Sequence, residues 1–185
     1  MRKLYRFVVV FMVVILAGCA TRRLPELQPV AEVDLQRFMG DWYVLAAIPT
    51  RIEREAYNAV ESYRLNSKGD IDTTFTFNKG GLDGPLKTYR PRGFVREGTG
   101  NAVWGMQFIW PIKADFRIID LDRDYQTVII GRQKRDYVWI MSRSPQVGEE
   151  TWSRLLQVVA DAGYDLDALR RVPHRTALTT RSDQP

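Results

Sequence analysis

Acid–base chemistry needs two carboxyl groups whose surroundings push their pKa values apart, and this chain offers Glu53, Glu55, Glu61, Asp120 and Asp122. No spacing among them singles out a pair, and Asp120 and Asp122 border a turn, where acidic residues commonly shape the backbone. The hydroxyls of Ser142 and Ser144 have no histidine near them in sequence, because the one histidine is His174, close to the C-terminus. The one cysteine, Cys19, follows an apolar N-terminal run. With a single His and a single Cys, Cys/His dyads, His-rich zinc sites and cysteine-held clusters lack ligands, and no intrachain disulfide can form. No catalytic residue, no metal and no cofactor is therefore expected.

The chain has 185 residues, 45% hydrophobic, 26% charged and 11% aromatic, with 13 Gly and 9 Pro. That balance excludes a disordered, collagen-like or disulfide-stapled polypeptide and suits one domain with a real core. Residues 1–18 read as a lipoprotein signal peptide. Arg2, Lys3 and Arg6 precede the apolar run Phe7 to Leu16, which at about ten residues is too short to span a bilayer. The run ends in Leu16-Ala17-Gly18-Cys19, which resembles the bacterial lipobox, where the signal is cut before a cysteine that becomes acylated. An ordinary signal peptide, or a membrane anchor with a stray cysteine, is the alternative. Each buried methylene contributes roughly 0.8 kcal/mol, so several acyl chains on one cysteine make a lasting anchor. Ala20, in place of Asp after the cysteine, resembles lipoproteins exported to the outer membrane. The expected location is thus the periplasmic side of the outer membrane, with residues 19–32 forming the acylated cysteine and a polar tether containing Pro25 and Pro29.

Loss of Arg2, Lys3 and Arg6 lowers the formal charge of +5 by three. The remaining positive excess sits at the two ends, in Arg22 and Arg23 and in Arg170, Arg171, Arg175 and Arg181. A nucleic-acid footprint would gather basic and stacking residues on one face of the folded domain, so no nucleic-acid partner is expected. The basic ends either face anionic lipid or are solvated.

Between Met39 and Arg143 short runs rich in β-branched and aromatic residues alternate with turn residues, the pattern of an antiparallel sheet. Eight strands are predicted: Trp42 to Ile48, Ala56 to Asn66, Ile71 to Asn78, Leu86 to Val95, Ala102 to Trp110, Asp115 to Asp122, Tyr125 to Arg132 and Tyr137 to Arg143. The breaks, such as residues 66–70, 78–85 and 98–101, carry Asn, Gly and Pro. Eight short-connected strands close into an up-and-down antiparallel β-barrel, which removes exposed edges and leaves room for one small ligand; an open sandwich is the alternative. After Pro145, Trp152, Leu155, Leu156 and Val159 fall at helical spacing behind Glu149 and Glu150, and Gly163 marks the stop. This all-β fold with one C-terminal α-helix packed outside occupies residues 33–169, and 170–185 are expected to be a flexible tail.

Phe38-Met39-Gly40-Asp41-Trp42-Tyr43 resembles the Gly-x-Trp signature of the lipocalin family. Leu121-Asp122-Arg123-Asp124-Tyr125 is similar to the family's second conserved segment, between the sixth and seventh strands, and Trp139-Ile140-Met141-Ser142-Arg143-Ser144-Pro145 to the end of its eighth strand. The three occur in order over roughly Val33 to Leu169, in wording most like bacterial outer-membrane lipocalin lipoproteins and apolipoprotein D. The resemblance implies that Gly40, Trp42, Asp122, Tyr125 and Arg143 are structural and meet at the closed end. There Arg143 would lie over the Trp42 indole, a contact worth about 0.5–2 kcal/mol. Family members with disulfides differ, since nothing covalent can hold this tail.

Alternation points Trp104, Met106, Phe108 and Trp110 inward, and Phe75 and Phe77 likewise. Tyr63, Tyr89 and Trp139 are further candidates; the resemblance implies that the position of Trp139 lines the cavity. These aromatics either line a ligand pocket or fill a solid core. A mainly apolar pocket with a few polar groups would take a fatty acid or lysophospholipid, its headgroup near an open mouth where Arg51, Arg54, Lys79, Arg90 and Arg92 are available or are solvated surface. The expected function is therefore a membrane-anchored lipid-binding protein that binds and stores or transports such lipids. An envelope enzyme acting on a lipid-like substrate and a solid-cored partner-binding lipoprotein are the alternatives. A homodimer stays open.

Overall fold

A computed structural model describes residues 24–175. The predicted signal peptide, Cys19 and residues 176–185 lie outside the described residues. A short helix, α1 (Leu35–Phe38), leads into strands β1 (Gly40–Ile48), β2 (Ala56–Leu65), β3 (Ile71–Lys79), β4 (Leu86–Tyr89), β5 (Arg92–Val95), β6 (Val103–Ile109), β7 (Ile112–Leu121), β8 (Thr127–Gly131) and β9 (Val138–Ser142). Helix α2 (Glu149–Asp161), a 3-10 turn (Leu166–Ala168) and β10 (Arg170–Arg171) follow. All pairings are antiparallel, and β9 returns to β1, so the sheet closes into a barrel.

The barrel has the eight expected strands, with three local departures. The fourth is split into β4 and β5 at Arg90-Pro91, because proline has no N–H to give the ladder; β3 pairs first with one piece and then with the other. The seventh starts at Thr127, since Tyr125 adopts a positive φ of 58° inside the preceding turn. In β6 the register shifts between Met106 and Ile109. A bulge of this kind breaks the two-residue alternation, and Phe108, Ile109 and Trp110 all emerge exposed.

Loops 49–55, 80–85, 110–111 and 132–137 lie at one end of the barrel. Loops 66–70, 96–102 and 122–126 lie at the other, with α1. Phe38 and Trp42 are wholly buried and tilted together with centroids 5.2 Å apart. Arg143 lies 3.8 Å over the Trp42 ring and donates through Nη2 to the carbonyls of Arg37, Phe38 and Met39. Its Nη1 donates to Asp41 O and its Nε to Tyr125 O. The Asp122 carboxylate accepts from the N–H groups of Asp124, Gln126 and Thr127. Tyr125 Oη accepts from Asp34 N. Trp42, Asp122, Tyr125 and Arg143 thus all stand at this end, where Gly40 opens β1.

Helix α2 packs outside the barrel, burying Trp152, Leu155 and Val159 against Leu45, Ile129 and Ile140; Leu156 is partly buried.

Two segments expected to lie outside the barrel domain, the polar tether and the flexible tail, are built into the wall. Leu27 is buried, its N–H donates to Gln133 Oε1, and Arg117 Nη1 donates to its carbonyl. The tether therefore lies along the barrel from residue 24 onward. At the other terminus, β1 and β2 pair only over Gly40–Tyr43, and β10 fills the gap above by pairing with Ala46 and Ala47. Val172 is buried and donates to Leu45 O, Asn58 N donates to Pro173 O, and Arg170 Nη1 donates to Ala56 O. The tail expected to be flexible is thus ordered through residue 175. A pair of arginines shows no hydrophobic alternation, so the strand left no signal in the sequence.

Candidate functional site

The lower half of the barrel is solid. Phe38, Tyr63, Trp104 and Phe116 interlock there, with Trp104 and Phe116 stacked at 4.9 Å and Tyr63 edge-on to Trp104 at 5.7 Å. The Trp104 indole N–H is satisfied by Asn101 O at 2.7 Å. Such aromatic pairs add about 0.5–1.5 kcal/mol each beyond area burial.

The upper half is less completely filled. A cavity of about 140 Å³ opens between β1–β2, β6–β7 and β9. Its apolar walls come from Ile52, Pro91, Met106, Phe108, Ala114, Phe116 and Trp139, and its polar points from Thr50, Glu53, Glu61, Thr73, Asp115 and Arg132. A wider groove of about 760 Å³ at the same end is bordered by Arg51, Arg54, Lys79 and Lys87, with Phe77 and Tyr89 as its apolar floor and Glu55 the one acid. Glu55 pairs with Lys79 at 3.8 Å across exposed side chains.

The expected lining residues thus separate into groups. Met106, Phe108 and Trp139 line the cavity. Phe75 meets Trp139 in a smaller void beside it, and Phe77 and Tyr89 lie under the basic groove. Tyr63 and Trp104 belong to the solid floor. Trp110 does not line the interior: it is 83% exposed at the tip of the β6–β7 hairpin, beyond the bulge. Among the expected headgroup cations, Arg51, Arg54 and Lys79 meet at the groove, while Arg92 pairs with Asp72 on the wall at 3.4 Å.

The structure brings together two carboxyls that no sequence spacing paired. Glu53 folds inward from the β1–β2 loop and accepts from Thr50 N, Thr50 Oγ1 and Trp139 Nε1, the last at 3.0 Å. Glu61 faces the same cavity and accepts from Tyr63 Oη. Burial, with the Glu53 charge adding to it and the Tyr63 hydrogen bond opposing it, raises the Glu61 pKa from 4.5 to about 7. The same burial, with the neighbouring Glu61 charge, drives the Tyr63 phenol up. Period-two alternation, which puts Tyr63 inside, also puts Glu61 inside; that was the available signal.

Arg132 closes the rim. Its Nη1 pairs with Asp136 at 3.3 Å and its guanidinium stands 5.1 Å over Tyr137, yet its buried Nε has no hydrogen-bond partner. Asp120 is held outside the barrel by Arg154 at 2.8 Å, and Ser142 lies at the closed end, bonded to Ser144 N. His174 is bonded to Val44 O at 2.8 Å in the wall, where burial lowers its pKa. Among the described residues no group of three or more His, Cys, Asp or Glu is placed to hold a metal.

Comparison with known proteins gives a match of residues 33–174 to a family described as lipocalin-like domain. The chain is 29% identical to temperature-induced lipocalin-1 of Arabidopsis thaliana over 160 residues, covering 80% of this chain and 83% of that protein. It is also 29% identical to outer membrane lipoprotein Blc of Escherichia coli K12 over 143 residues, 72% of this chain and 75% of the relative. Among solved structures, insecticyanin from the tobacco hornworm superimposes with a TM-score of 0.64 at 15% identity, covering 83% of this chain and 86% of that one.

Proposed function

The chain belongs to the lipocalin family, and from that premise we propose that its barrel binds a single-chain amphiphile, a fatty acid or lysophospholipid, and stores or carries it in the cell envelope. The observation that carries this reading is the upper cavity, apolar on its walls and continuous in position with a cationic rim. Removing apolar surface from water supplies roughly 25 cal/mol per Å², so a chain end entering beside Met106, Phe108 and Trp139 provides the affinity. The walls of the cavity are apolar while the cations stand at the rim, so the ligand enters tail first. The head then meets the Arg132 side chain at the rim and the groove of Arg51, Arg54, Lys79 and Lys87. The solid lower half limits the depth reached by the tail.

This is binding, not catalysis. Glu53 is engaged by Thr50 and Trp139 and Glu61 by Tyr63, and the hydroxyl of Ser142 is at the far end. Two readings outside the described residues complete the proposal: residues 1–18 are a lipoprotein signal peptide, and acylated Cys19 anchors the domain to the periplasmic side of the outer membrane. The relatives named outer membrane lipoprotein support the outer membrane as the location.

Titration of the delipidated chain with palmitate and with lysophosphatidylethanolamine, followed by tryptophan fluorescence, tests the ligand; saturation near one per chain is expected, and linear unsaturable uptake would sink it. Cell fractionation tests the anchor. Cys19→Ser should move the protein out of the membrane fraction, whereas unchanged fractionation would remove the anchor reading.

A further inference from the structure

We infer that the open rim is a docking surface for an anionic phospholipid bilayer, so that the barrel sits mouth-down on the membrane. The apolar side chains are placed for it. Ile52, Leu86, Phe108, Ile109, Trp110 and Ile112 are all large, apolar and exposed, Trp110 by 83% and Ile109 by 71%. All six stand at the end of the barrel where the cavity opens. The closed end, by contrast, contributes none of the large hydrophobic side chains that are exposed among the described residues. Clustered exposed apolar residues mark interaction surfaces, and a protruding hairpin tipped with tryptophan suits the boundary between headgroups and acyl chains.

Charge and chain direction select a bilayer as the occupant. Arg51, Arg54, Lys79 and Lys87 border the groove on the same rim against Glu55 alone, matching a negative lipid surface. The N-terminal segment leaves from this end too. Gln133, in the β8–β9 loop, binds Leu27 N and Pro25 O, and Leu24 shares a cleft with Arg135 of that loop and with Ala162 and Gly163 behind α2. From Leu27 the chain then descends past Ile118 and Gly100 to α1. Cys19 is five residues before Leu24, a span of at most about 18 Å, so a membrane holding Cys19 lies on the mouth side. A ligand then passes between leaflet and cavity without crossing open water.

The test removes the anchor, so it is independent of acylation and of ligand affinity. In the Cys19→Ser chain, a single cysteine is introduced either as Trp110→Cys on the rim or as Lys68→Cys at the closed end, and each is labelled with an environment-sensitive nitrobenzoxadiazole dye. On adding vesicles of phosphatidylethanolamine with phosphatidylglycerol, the dye at position 110 should shift to the blue and be quenched by lipid-borne quenchers, while the dye at 68 stays unchanged. Co-sedimentation of the chain should fall about tenfold in the Ile109→Ser, Trp110→Ser double variant and on replacing phosphatidylglycerol by phosphatidylcholine. No shift at 110, or an equal shift at 68, overturns the inference. So does a concentration-dependent dimer without vesicles that buries position 110, because the rim would then be covered by a second copy.

Discussion

At the closed end Arg143 donates to five backbone carbonyls while covering Trp42, and Asp122 accepts from three backbone N–H groups. At the open end Arg132 Nε is buried without a partner, two carboxyls face one cavity, and the hairpin presents Trp110 to solvent. The same strands run through both halves. What differs is that the floor satisfies its polar groups and fills its volume, which gives stability, whereas the mouth leaves groups and volume for something else to satisfy.

That contrast is breakable by mutation. Trp42→Ala should cost about 3–5 kcal/mol in urea denaturation, whereas Trp110→Ala should stay within about 0.5 kcal/mol; comparable losses would erase the distinction between the ends. A chain ending at Leu169 loses β10 and buried Val172, and its denaturation midpoint should report a loss of about 2–4 kcal/mol. Retained stability would mean that the upper gap between β1 and β2 closes without it.

Glu61 sharpens the comparison through pH. The folded protein holds its proton up to about pH 7, while the unfolded chain releases it near 4.5, so stability is fully present at low pH and falls as pH rises between these values. Glu61→Gln should flatten that slope and recover on the order of 3 kcal/mol at pH 8 relative to pH 4; an unaltered slope would mean that Glu61 ionises freely. The smallest effect concerns the rim. Arg132→Met should weaken palmitate about tenfold and leave hexadecanol unchanged, since only the charged head needs a charged donor. Equal losses for both would assign Arg132 to packing.

The floor was legible in the sequence because its determinants are short stretches of fixed spacing: Gly40 to Trp42, Asp122 to Tyr125, and Arg143. The strands were legible by alternation wherever the wall is regular. It failed where the wall is not. The bulge after Met106 leaves Phe108 half-exposed at the mouth of the cavity and Ile109 and Trp110 out in solvent, and Pro91 interrupts the fourth strand. Leu27 and Val172 are single buried apolar residues in polar segments, too isolated to show a period. Glu53 and Glu61 sit on a loop and a strand, and only closure of the barrel brings them to one cavity. The unpartnered, buried Nε of Arg132 depends on three-dimensional neighbours and has no counterpart in any local pattern.

Native mass spectrometry of the Cys19→Ser chain, purified from bacteria and measured before and after organic extraction, tests the central claim most directly. The account predicts one copurifying molecule per barrel with the mass of a fatty acid or lysophospholipid, lost on extraction and regained on adding that lipid. A clean mass before extraction, together with no uptake of either lipid afterwards, would contradict it and leave the upper cavity without a lipid ligand.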